Sequence, residues 1–205
     1  MTSPSRSSSP PGRAQLRKVV VYSLLSLDGV AEEPGDWMFD VDAEVFAFLG
    51  RVIETQDDVL LGRGTYDYWV DYWPTSEVQP FADFINSTPK NVFSSHPLWG
   101  TWQNEQLVTA PVEDHVQALQ AGLGGDIGVH GSVTLVQALL AADLVDELHL
   151  VVAPTIAGRG ARLFPSGING PLRLACTGQS LTPSGTLLLS YARSAEGQQD
   201  VPCRL

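Results

Sequence analysis

Positive charge is scarce in this chain: 12 Lys and Arg stand against 23 Asp and Glu, a formal net charge of −11. Such a field repels a phosphate backbone, so nucleic acid is not an expected partner. Any anionic ligand has to be held by a local group of donors. Cysteine is equally sparse, with only Cys176 and Cys203. Two thiols cannot staple a domain of this size, and no Cys/His spacing resembles a zinc site, so no metal is expected and a reducing, cytoplasmic setting is. Apolar runs stay well short of the roughly 18–20 residues that a membrane helix needs, so no membrane partner is expected. Residues 1–15, rich in Ser and Pro, contain too little apolar surface to offset the entropy of ordering them and read as a disordered tail. Residues 194–205 read as a second flexible tail.

What is present is one well-mixed domain over 16–193. Hydrophobic residues make up 43% of the 205, enough for a core of ordinary size. The run Leu16–Leu25 is apolar and β-branched, a buried central strand, and breaks on Ser26-Leu27-Asp28-Gly29. Asp42 is placed to cap a helix whose apolar stripe is Val45, Phe46, Leu49, Val52 and Ile53. Further strands are expected at 57–61, 90–93, 105–108, 126–130 and 146–153, with a short helix at 81–86, a helix at 112–121 and another after Ser132. Two last strands, 172–177 and 186–192, read as a hairpin. Cys176 falls there at a core-like strand position. This alternation predicts an α/β fold, a mostly parallel central sheet with helices on both faces and an antiparallel C-terminal hairpin.

The chain is organised around Asp58-Val59-Leu60-Leu61-Gly62-Arg63-Gly64-Thr65-Tyr66. A short apolar strand ends on a glycine, then offers an arginine, a second glycine and a hydroxyl at a helix start. Unpaired amides and a guanidinium together favour an anion such as phosphate. An ordinary strand–turn–helix with a solvent-facing arginine fits the same residues. Two more strand ends offer comparable groups, Ser94-Ser95-His96 and His130-Gly131-Ser132.

The order and spacing of these junctions resemble the dihydrofolate reductase superfamily, and more closely its bacterial branch related to the C-terminal reductase domain of riboflavin biosynthesis proteins. The resemblance is carried by Ser26-Leu27-Asp28-Gly29, Leu61-Gly62-Arg63-Gly64-Thr65-Tyr66 and Val129-His130-Gly131-Ser132. It continues in Leu144-Val145-Asp146-Glu147-Leu148, followed by Pro154, Gly158, Gly160 and Phe164. It implies a dihydrofolate reductase-like fold and NADPH as cofactor. Gly62, Arg63 and Thr65 would meet its phosphates, Ser94 and Ser95 its adenosine end, and Gly131 and Ser132 its pyrophosphate. Family members often carry consecutive glycines at the last junction, where this chain has His130-Gly131-Ser132.

A reductase must also place a small-molecule substrate and supply a proton or a polarising group. Asp28 is the candidate, against the alternative of a turn aspartate bonded to its own backbone. Trp37, Phe46 and Tyr66 are candidates for the substrate pocket, against the alternative that such aromatics serve a core or a subunit contact. The folate enzymes place a carboxylate on the first helix, whereas the inward stripe here is apolar. Dihydrofolate itself is therefore not expected as substrate. A homodimer is expected, because the terminal hairpin offers an apolar sheet edge. A nucleotide-binding module without catalysis and a dimeric scaffold are the rival readings.

Overall fold

The computed structural model describes residues 16–164 and 171–194. The tails expected at both termini therefore lie, except for residue 194, outside the described residues. Eight strands form one sheet: β1 (Val19–Leu25), β2 (Gln56–Gly62), β3 (Lys90–Phe93), β4 (Glu105–Val108), β5 (Asp126–Val129), β6 (Glu147–Val152), β7 (Leu174–Leu181) and β8 (Leu187–Arg193). Their spatial order is β4-β3-β2-β5-β1-β6-β8-β7. All pairings are parallel except those of β8, which runs antiparallel to both β6 and β7. Five helices connect them: α1 (Ala43–Ile53), α2 (Arg63–Trp69), α3 (Phe81–Ser87), α4 (Val112–Gln120) and α5 (Val133–Ala141).

Alternate residues of the central strands feed opposite layers, as the twofold period of a strand requires. Val19 and Val21 of β1, with Ile127, Val129, Leu148 and Leu150, pack against α4 and α5 through Val116, Leu135, Val136 and Leu139. On the other face Val20 and Val151 meet α1 through Val45, Phe48 and Val52. Val59, Leu61 and Val92 meet α2 and α3 through Tyr66, Phe81 and Ile85 on that same side. Helices on both faces and a hairpin at one edge are the architecture the sequence predicts. The parallel strands send all their C-terminal ends to one edge, where the loops that can hold a ligand collect.

Three local expectations are corrected. The inward residue of α1 is Phe48, with Phe46 only half-buried, because the helix turns one position further toward the sheet than the stripe suggested. Asp42 stands at the start of α1 without capping it; its carboxylate instead accepts from the Ser184 amide (3.2 Å) and hydroxyl (2.6 Å) in the β7–β8 turn. Cys176 is exposed, since β7 is the outermost strand and no residue along it is fully buried.

Candidate functional site

The junction β2–α2 and the junction β5–α5 are pressed into one seam. The Gly62 amide donates to the Gly131 carbonyl at 3.1 Å. A Cβ on Gly62 would overlap Ser132, and a Cβ on Gly131 would lie 2.6 Å from Thr65 Oγ1. Gly131 also has φ +135°, a conformation open to glycine and strained for other residues. Two glycines thus bring Thr65 and Ser132 side by side. The Ser132 hydroxyl accepts from the Leu135 amide at 3.4 Å and so caps α5, and lies 2.9 Å from Thr134 Oγ1.

Arg63 ties this seam to the third strand end. Its Nε donates to both Asp67 oxygens at 2.6 and 2.7 Å, one turn along α2. Its Nη1 donates to Ser94 Oγ at 3.3 Å and to the Pro97 carbonyl at 3.0 Å. Ser94 Oγ in turn donates to the His96 carbonyl at 2.8 Å and accepts the His96 amide at 3.1 Å, while Ser95 Oγ lies 3.0 Å from His96 Nδ1. Because β2 lies between β3 and β5, the structure brings Gly62, Arg63, Thr65, Ser94, Ser95, Gly131 and Ser132 together along one stretch of the sheet edge. One third of the Arg63 side chain remains accessible, and a Cβ at neighbouring Gly64 would meet nothing within 4 Å. The space beside Gly64 is open.

Asp28 lies at the end of β1, away from that seam. Its Oδ1 accepts from Ser26 Oγ (2.7 Å) and the Ala157 amide (2.9 Å), and its Oδ2 from the Gly158 amide (3.1 Å) with Arg162 Nη2 at 3.8 Å. The Ser26 hydroxyl and then the Ala157 amide hold its carboxyl below the ordinary aspartate value. The arrangement makes it an ionised acceptor that fastens the loop after β6 to the loop after β1. Between those two loops opens a cavity of about 350 Å³ lined by Glu32, Glu33, Asp36, Trp37, Ala157, Arg159 and Gly160. Trp37 is fixed there by its indole N–H, which donates to the Glu32 carbonyl at 2.8 Å.

The pocket residues expected from the sequence thus separate. Trp37 lines the cavity and Phe46 is half-buried on α1. Tyr66 is fully buried, its hydroxyl donating to Glu105, and it packs on Trp102 in the core; it reaches no open space. Trp69 and Trp73 join the same apolar layer. Sequence reasoning missed the loop after β6 as the opposite wall, for which Gly158 and Gly160 were the signal. Among the described residues no group of three His, Cys, Asp or Glu side chains is arranged to hold a metal ion.

The profile of the RibD C-terminal domain matches residues 17–188. The chain belongs to that family. Within reach of it, the chain is 32% identical over 155 residues to the uncharacterized protein YwjB of Bacillus subtilis (strain 168), an alignment covering 72% of this chain and 83% of that protein. The fold is similar to that of a putative riboflavin biosynthesis protein from Shewanella sp. PV-4, with a TM-score of 0.69 and 21% identity over 87% of this chain and 99% of the other. It is also similar to dihydrofolate reductase from Enterococcus faecalis, solved with NADP(H), with a TM-score of 0.59 and 14% identity over 87% and 97%. The fold is therefore dihydrofolate reductase-like, and the RibD C-terminal family is the branch that the four motifs of the sequence indicated.

Proposed function

We propose that this protein is an NADPH-dependent reductase that delivers a hydride to a small heterocyclic or carbonyl substrate. The observation that carries the reading is the convergence on Arg63, whose guanidinium links the ends of β2 and β3 beside the seam to β5. A fixed cation, the hydroxyls of Thr65, Ser94 and Ser95, and open room before Gly64 are the donor chemistry that a phosphate-rich dinucleotide requires. The family and the NADP(H)-bound neighbour of the same fold support the choice of cofactor. NADPH supplies the hydride when bound. Arg63, Thr65, Ser94 and Ser95 bind its phosphates and adenosine end, and Gly62, Gly131 and Ser132 allow close approach.

Beside the cavity that Trp37 lines, Asp28 acts as a positioning residue. Its carboxylate keeps the cavity wall at Ala157 and Gly158 in place and does not donate a proton near neutral pH. The inward face of α1 carries Val45, Phe48 and Val52, and Glu44 of that helix is exposed. This supports a substrate other than dihydrofolate. The absence of an inward-facing carboxylate on α1 favours one rival, a nucleotide-binding module without turnover. Nucleotide binding with no NADPH consumption across a panel of pterins, pyrimidines and quinones would establish that rival.

The test is titration with NADPH and NADH, on the wild type and on Arg63→Ala. NADPH is expected to bind more tightly than NADH, and the variant to lose at least tenfold, about 1.4 kcal/mol. A folded wild type that binds neither nucleotide would overturn the reading. We also propose a homodimer formed through the terminal hairpin, where Leu172, Leu181 and Leu187 are exposed.

A further inference from the structure

On the sheet face covered by α1 and α3, central strands that should be sealed stay partly open. Tyr22 of β1, His149 of β6 and His130, directly after β5, are all half-buried. Aromatic rings surround the opening. The His130 ring lies 5.1 Å from Phe81, 5.7 Å from Phe84 and 6.0 Å from Tyr22, and Tyr22 lies 6.1 Å from Phe48. The floor of this aromatic slot is polar, which is unusual enough in a sheet core to need a reason.

Gly128 creates the floor. It lies two residues before His130 on the same face, and a Cβ there would overlap the Gln56 carboxamide and lie 3.0 Å from His130 Nε2. Gln56 of β2 fills that space and meets His130 Nε2 at 2.8 Å through Oε1. Gln56 is only 7% exposed, yet its Nε2 has no partner. Turning the amide over would move the deficit to Oε1 and leave it in place. Burial pushes the His130 imidazole down to about 3, so near neutral pH it carries one N–H and one lone pair. Gln56 engages Nε2, and among the described residues Nδ1 has no hydrogen-bond partner. Burial likewise raises the pKa of the Tyr22 phenol, which stays a neutral donor. A buried polar group left incomplete beside an opening is a place that a ligand can complete.

We propose that His130, braced by Gln56 and helped by the Tyr22 hydroxyl, is the specificity-determining residue for the substrate, reading an uncharged ring edge in which an N–H adjoins a C=O. A neutral imidazole with one free nitrogen matches half of such an edge and the phenol the other half. The flanking rings of Phe48 and Phe81 suit a planar ligand, and an ionised ligand would lose much of its hydration among them. His130 immediately precedes Gly131, so the slot adjoins the seam assigned above to the cofactor. The inference rests on the reductase reading for naming this ligand the substrate.

The probe is 2-pyridone, the simplest ring with that edge, with benzoate and benzamidine as charged ring controls. The full chain is labelled with ¹⁵N-histidine and loaded with NADPH. Addition of 2-pyridone is expected to shift the His130 Nδ1 resonance, and neither control to do so. His130→Phe is expected to bind 2-pyridone at least tenfold more weakly while its NADPH affinity is kept, and Gln56→Leu to weaken it as well. A wild type whose His130 signal does not respond to 2-pyridone, or responds equally to the charged rings, would overturn the proposal without any variant having to fold. A response to 2-pyridone in a protein that fails to bind NADPH sinks the reductase reading and leaves the recognition site. NADPH binding with a silent His130 does the reverse.

Discussion

Asp28 accepts from one hydroxyl and two amides, with a guanidinium nearby, and its partners show how a single carboxylate can join two loops. Asp28→Asn places an amide N–H against at least one of those donors, and is expected to lower the melting temperature at pH 7. The wild-type carboxylate has a depressed pKa, so its stabilisation is fully present above the ordinary value of 3.8 and is lost as pH falls through the lower folded-state value. Melting curves of the two proteins should therefore converge in acid; a constant gap at every pH would refute this role. The charge at position 28 was legible from the Ser-Leu-Asp-Gly motif, but its use was not. Its donors on Ala157 and Gly158 are about 130 residues away along the chain, and no local pattern encodes such a contact. Arg63 is the opposite case. Its neighbours Gly62, Gly64 and Thr65 marked the strand–helix junction locally, and the pairing of β2 with β3 then brought Ser94 to Arg63.

At the level of elements, the seam between β2–α2 and β5–α5 has no room for a side chain. Gly62→Ala is expected to cost ~1–3 kcal/mol by overpacking against Ser132. Gly131→Ala should cost more, since its φ of +135° adds backbone strain to the contact with Thr65. Urea denaturation would measure both, and an Ala variant as stable as the wild type would show that the seam can open. The start of β3 supplies a pH-dependent element of another kind. Lys90 of β3 is 1% exposed, donates to the Ile85 and Thr88 carbonyls at 2.8 and 2.9 Å, and lies 4.7 Å from the Trp102 ring centre. Burial pushes its pKa down to about 8 from 10.5. Between those values the unfolded chain binds more protons than the folded one, so stability rises with pH across the window. Lys90→Met should abolish that rise, which denaturant titrations at pH 7.5 and 9.5 would detect. Most strand and helix positions were legible, because each is a short apolar run ended by Gly, Pro or a polar turn; the strand expected over 172–177 runs instead over Leu174–Leu181, where the mostly exposed edge strand has little apolar pattern. The exceptions, Asp42 and Phe46, depended on what packs against α1, and Cys176 on which strand ends up outermost.

For the molecule as a whole, a net charge of −11 surrounds the proposed cofactor site with its one bridging arginine. Long-range repulsion of an anionic dinucleotide is screened within about 8–10 Å at physiological salt. The association rate of NADPH is therefore expected to rise as salt increases from low to moderate levels, in stopped-flow measurements; a fall would mean that the local cation outweighs the field. The exposed Leu172, Leu181 and Leu187 lead to a second whole-molecule expectation. Sedimentation should give a dimer, and Leu181→Asp combined with Leu187→Asp a monomer that still binds NADPH. The overall architecture was legible from the alternation of elements. The assembly of the site was not, because it depends on which strands are neighbours.

The strand order also dictates a schedule for synthesis. β1 is the first strand made and lies at the centre of the sheet, yet its only sheet partners are β5 and β6, more than a hundred residues later. A nascent chain that has not yet delivered β5, at residues 126–129, has no sheet partner on which to close its first strand. Closing a loop of that size before any pairing can reward it slows folding. Ribosome-bound chains halted near residue 125 should be cut by protease throughout, and resistance should appear in one step once β6 has left the exit tunnel.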